Sequence, residues 1–132
     1  MRFKAFITVL FVLPWLLGNI KDDTIRCSMI NLIASPERFD KRKIQTIGVA
    51  RVGFEADFLY LTLEDARDTV MLNGVRLAFD DSKISESDKK KLNLRRVLVS
   101  GVFHRSQAND GLGAGGISDI SQIFALEDVK VE

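Results

Sequence analysis

The sequence predicts a mainly β domain, a five-stranded, partly open Greek-key barrel with a short N-terminal helix and a second helix between the third and fourth strands. Three observations carry that prediction. Beyond residue 40 the apolar residues fall into short runs of period two, the spacing of half-buried strands. Helix signals interrupt these runs most clearly between the third and fourth strands, from Asp80 to Asn93. Glycines stand in the middle of two runs, at Gly48 and Gly101, and a small barrel needs bends in order to close.

Each element follows from its residues. Ser28 caps a helix from Met29 to Ser35 that Pro36 ends, and Ile30 with Ile33 forms the face expected to pack on the barrel mouth. After a turn from Pro36 to Asp40 comes a strand from Arg42 to Val52. There Ile44 has one parity and Ile47 with Val49 the other, so Gly48 is expected to bend it. Gly53 to Asp57 links it as a hairpin to a second strand, Phe58 to Leu63, with Leu59, Leu61 and Leu63 inside and Tyr60 outside. Glu64 to Asp68 forms one helical turn, Asn73-Gly74 signals a turn, and Val75, Leu77 and Phe79 make a third strand that turns Arg76 outward. In the stretch from Asp80 to Asn93, Ser85, Glu86 and Asp88 precede Lys89, Lys90 and Lys91, the charge order that a helix dipole favours, and the lysines are expected to be a solvated end. The fourth strand is Arg96 to His104, the loop Ser106 to Gly116 carries Gly111, Gly113, Gly115 and Gly116, and the fifth strand covers about Ile117 to Leu126. This order of elements is that of the OB architecture.

The pattern also resembles a family of small exported OB-like domains found as uncharacterised bacterial proteins. The residues that carry the likeness are the stretch from Ser28 to Phe39, Ile47-Gly48-Val49, Phe54-Glu55, Leu59-Tyr60-Leu61, Val97 to Phe103, and Ile117 to Ile120 after the glycine loop. It spans roughly residues 28 to 123. The resemblance implies the barrel and export, and assigns no reaction. Where that family usually shows Tyr and Gly after the Pro turn, this chain has Phe39 and Lys41.

At 132 residues the chain has room for one domain. Arg2 and Lys4 precede an uncharged run from Ala5 to Gly18, which Pro14 interrupts and Lys21, Asp22 and Asp23 close. That run is short for a membrane span and fits an export signal, so the organisation expected is a signal peptide or uncleaved anchor over 1–18, a tether over 19–27, the barrel over 28–126 and a tail over 127–132. The destination is the periplasm or the outside of the cell, and the membrane is a partner only if the first segment stays attached. Losing residues 1–18 removes two of the 19 basic residues and none of the 18 acidic ones, leaving a nearly neutral domain. Nucleic acid is therefore a disfavoured partner, since phosphate neutralisation supplies most of that affinity. One Cys and one His exclude a disulfide framework or a multi-Cys/His zinc site, and Cys27 reads as a half-buried thiol.

No constellation of catalytic residues stands out, so no enzyme activity and no cofactor are expected. His104 has no nucleophile tied to it by a motif, and the glycine loop lacks the Lys of a P-loop. Glu55, Asp57, Glu64 and Asp65 match no cation-loop spacing and read as turn and cap residues rather than metal ligands. What remains is a surface. OB domains bind on the second and third strands and the adjoining loops, where Tyr60, Arg76, Arg51, His104 and Arg105 are the candidate ligand-binding residues, with Phe54 and Phe58 as further rings. The function expected is a non-enzymatic binding module for a protein or small ligand, and the alternative is a single-stranded oligonucleotide-binding domain.

Overall fold

A computed structural model describes residues 23–53, 56–107 and 113–126. The expected export segment, Phe54, Glu55, the tip of the glycine loop and the C-terminal tail lie outside the described residues. The strands are β1 (Ile25–Arg26), β2 (Arg42–Arg51), β3 (Phe58–Tyr60), β4 (Gly74–Leu77), β5 (Arg96–Arg105) and β6 (Gly115–Ala125). The helices are α1 (Met29–Ala34), α2 (Leu63–Asp68) and α3 (Glu86–Leu92), with 3₁₀ turns at Pro36–Arg38 and Met71–Asn73. Neighbouring strands run β2-β3-β4-β6-β5, and β5 pairs back onto β2, which closes a five-stranded mixed barrel. The β4–β6 pairing is parallel and the other barrel pairings are antiparallel. The predicted OB-like barrel is the fold observed. An extra strand, β1, pairs in parallel with β2 at Ile44 and Gln45, so the stretch read as a tether joins the sheet at its end.

The core is the inside of the barrel. Ile44, Leu59, Val75, Val97, Val99, Phe103 and Ile117 are wholly buried there, as the alternation of each strand dictates. Several details differ from expectation. Along β2 one parity faces inward throughout, through Ile44, Thr46, Gly48 and Ala50, while Ile47 and Val49 stay on the outer side. Gly48 is therefore a point of close approach: a Cβ there would stand 2.7 Å from Leu59 Cγ and 2.8 Å from the carbonyl oxygen of Tyr60. Gly101 plays the same part against Ile117 Cγ2 and the carbonyl oxygen of Ser118, both at 2.7 Å. Opposite Gly101, β6 bulges, its register passing from Gln122 to Ser118 while β5 advances from Ser100 to Val102, and Asp119 takes a φ of 48°.

In α1 the buried face is Met29 and Leu32, and Ile30 is 61% exposed. Residues 29 and 32 are three apart, as 30 and 33 are, so spacing alone did not choose between the two faces. Ser28 caps this helix as expected, accepting from Asn31 N at 3.1 Å. After the Pro turn, Phe39 is buried and Lys41 sits in the left-handed region at φ 61°, its N–H donating to Phe103 O at 2.7 Å. The lysine run of α3 is not uniformly solvated. Lys89 is buried, with Nζ 2.6 Å from Asp81, 3.0 Å from Glu86 and 5.3 Å from the centre of the Phe79 ring.

Candidate functional site

The five candidate binding residues separate into two groups. Tyr60 is buried, a correction to the expectation that it faces solvent. Phe58 and Tyr60 do lie opposite the barrel-filling Leu59, but α2 covers that side, and the two rings stack at 5.8 Å in a second small core with Ala66. Burial pushes the Tyr60 phenol up, against an opposing pull from the Arg51 guanidinium. Arg51 belongs to the same region: its Nη1 donates to the carbonyls of Ala66 at 2.7 Å and Arg67 at 2.8 Å, near the C-terminal end of α2. These carbonyls are ones that a helix end leaves without intrahelical partners, so Arg51 acts as a helix cap.

Arg76, His104 and Arg105 do come together. They line a cleft of about 280 Å³ with Ser106, Gln107, Gly115 and Gly116, where the loop after β5 returns into β6. A second cleft of about 580 Å³ shares His104 and Arg105 and adds Asp40 and Lys41. Register explains the meeting: Arg76 and His104 both pair with Gly116, from β4 on one side and β5 on the other. Because Gly116 carries no side chain, nothing from β6 stands between the two. The Arg76 guanidinium lies over the Phe58 ring, and the Arg105 backbone N–H donates to Asp40 Oδ1 at 3.0 Å. Arg105 Nε is 3.8 Å from Asp40 Oδ2, with both side chains partly in solvent, a weak pair that leaves the guanidinium other directions for donation.

Sequence reading missed Ser118, whose Oγ lies 3.1 Å from His104 Nε2. The two are cross-strand neighbours across the β5–β6 ladder, a relation no linear motif records. An imidazole beside a hydroxyl is the beginning of a nucleophilic site, yet Asp40, the carboxylate on the same cleft, is held by Arg105. The pair supplies a donor and an acceptor beside the cations of the cleft.

Two of the acidic candidates, Asp57 and Asp65, take structural parts. Asp57 Oδ1 accepts from Gly53 N at 3.0 Å, and Asp65 Oδ2 accepts from Asn73 Nδ2 at 3.3 Å. Cys27 is half-buried against the core, and burial raises its thiol pKa, which lowers its thiolate fraction at neutral pH. Among the described residues no helix is long and apolar enough to cross a membrane.

A larger concavity than these two clefts lies elsewhere. A groove of about 900 Å³ runs between the β1–α1 corner and the outer faces of β2 and β5, floored by Ile47, Val49, Leu61 and Leu98. No protein-family model matches the chain, and no curated protein matches it.

Proposed function

We propose that the chain is an exported, non-enzymatic binding module that holds a small anionic ligand at the barrel mouth. The observation that supports this most is the convergence of Arg76, His104, Arg105 and Lys41 on two adjoining clefts whose one carboxylate among the described residues is Asp40. Guanidinium groups on a firm support favour carboxylate and phosphate oxygens, and Arg76 is supported by the Phe58 ring beneath it. Export rests on the basic start and the apolar run from Ala5 to Gly18. The burial of Phe58 and Tyr60 favours a small anion over a single nucleic-acid strand, since bases need exposed rings on which to stack.

The test is a titration with inorganic phosphate, and separately with citrate, followed by backbone amide NMR shifts. Saturable shifts at Arg105, Gly115 and Gly116 that vanish in the Arg76→Ala, Arg105→Ala double variant support the reading. Absence of saturation with both anions, or shifts unchanged in the variant, overturns it.

A further inference from the structure

The groove beside β1 has a property that the barrel mouth lacks: it combines an apolar floor with one residue of β2, Ile47, whose peptide groups meet no neighbouring strand. β1 ends at Arg26, opposite Gln45, and the last backbone contact on that side is Cys27 N–H to Gln45 O at 3.0 Å. β3 takes up pairing with β2 only at Val49. Between them, at Ile47, β2 meets neither strand on this side. Peptide groups alternate along a strand, so the N–H and C=O of Ile47 point the same way as the Gln45 carbonyl, into the gap. Alongside lies a row of outward side chains in direct register across three strands, Ile47 opposite Leu98 and Leu98 opposite Phe124. Ile47 is 39% exposed and Phe124 41% exposed. Contiguous apolar surface of this kind is a recognised mark of a protein-binding site, and the unanswered peptide groups of Ile47 beside it can take a backbone partner.

Charge narrows the choice of occupant. Arg26 and Arg96 both line the groove, both are exposed, and neither side chain has an ion-pair partner among the described residues. We propose that this groove docks an extended segment of a partner protein whose alternate side chains are apolar and which carries acidic residues at its flanks. The segment's backbone bonds to Ile47, its apolar side chains cover Ile47, Val49 and Leu98, and its carboxylates meet Arg26 and Arg96. A purely lipidic ligand would use the floor and the arginines but would leave the Ile47 peptide groups unanswered. That difference favours a peptide.

The experiment pans a phage-displayed library of random heptapeptides against the full chain, with sequencing of the enriched pool. The expected consensus alternates apolar residues and places Asp or Glu at an end. A synthetic peptide of that consensus should lose at least tenfold in affinity against Arg26→Glu, Arg96→Glu, and against Ile47→Lys. It should lose comparably when the amides facing Ile47 are N-methylated. Circular dichroism melts establish that the variants fold; if the charge reversal does not, Arg26→Gln, Arg96→Gln replaces it. No enrichment, a consensus without acids, or affinity indifferent to these changes overturns the proposal. So does a competing outcome in which cis-parinaric acid binds the groove and the same variants abolish that binding while no peptide is enriched.

Discussion

Phe58 and Arg76 face each other directly across the β3–β4 ladder, with the guanidinium carbon 5.9 Å from the ring centre. The ring belongs to the small core under α2 and the cation belongs to solvent, so one cross-strand pair joins packing to the proposed binding cleft. The expected outcome is a separation of effects. Arg76→Ala should leave the thermal midpoint within about 2 °C, as exposed positions usually do, while abolishing phosphate-dependent shifts at Gly116. Tyr60→Ala, two residue pairs along the same ladder, should cost about 3 kcal/mol or more in urea denaturation, because it empties a buried aromatic site.

At Gly48 the prediction concerns volume. A Cβ there meets Leu59 and the Tyr60 carbonyl well inside van der Waals contact, and the carbonyl belongs to the β2–β3 ladder and is held in place by it. Gly48→Ala should therefore destabilise by roughly 1 to 3 kcal/mol, and Gly48→Val by more. An Ala variant with an unchanged urea midpoint would show that β3 moves aside freely.

Lys41 points the other way. A non-glycine residue in the left-handed region carries a penalty of roughly 1 to 2 kcal/mol, partly offset in a glycine variant by the greater freedom of the unfolded chain. With φ at 61°, Lys41→Gly should raise stability by about 0.5 to 1 kcal/mol, and Lys41→Ala should not. Paired urea melts of the two variants decide it.

Thr46 faces the core with its hydroxyl buried and no hydrogen-bond partner for Oγ1 among the described residues. Val has the same shape without the polar atom, so Thr46→Val should stabilise by about 1 kcal/mol. A loss of stability in the same measurement would mean that the hydroxyl does bond in solution.

Lys89 yields a pH dependence. The hydrogen bonds it donates, to Asp81 first and Glu86 next, raise its ammonium pKa well above the ordinary lysine value. The protonated form is thus favoured by folding, and its contribution is complete below about pH 10.4, the unfolded lysine value, and fades as pH rises beyond it. The difference in urea midpoint between the native chain and Lys89→Met should be constant from pH 7 to 9 and shrink by pH 11. A difference that holds at pH 11 would assign the role of Lys89 to packing against Phe79 alone.

Strand parity carried most of the fold: Leu59, Val75, Leu77, Val97, Val99 and Phe103 face inward as their alternation dictates, and the position of α3 between β4 and β5 follows from its charge order. The misreadings of Tyr60 and Lys89 share one cause, which is that a local pattern reports which side of an element a residue takes and not what covers that side. Tyr60 points away from the barrel interior as read, but α2 turns that exterior into a second core. Lys89 lies in a run that looks solvated until Asp81 and Glu86 gather round it. Ser118 reaches His104 only through the β5–β6 ladder, and β1, two residues long, is too short to show a period. Of the candidate site, the meeting of Arg76 and His104 was legible in their parity, each standing opposite the inward set of its own strand, whereas Arg105, on the parity of Phe103, joins them because it ends β5 beside the same loop.

The insertion of β6 between β4 and β5 sets the order in which the molecule can be completed. β2 finds its long partner only in β5, some fifty residues on, as the pairing of Gly48 with Val97 shows, and β4 has no partner on its far side until Gly116 and Ile117 arrive. A chain emerging from a ribosome, or threading through any narrow passage, therefore holds two open strand edges until its last described strand is free. Closure is a late, non-local event, of the kind that folds slowly and gives binding chaperones time to act.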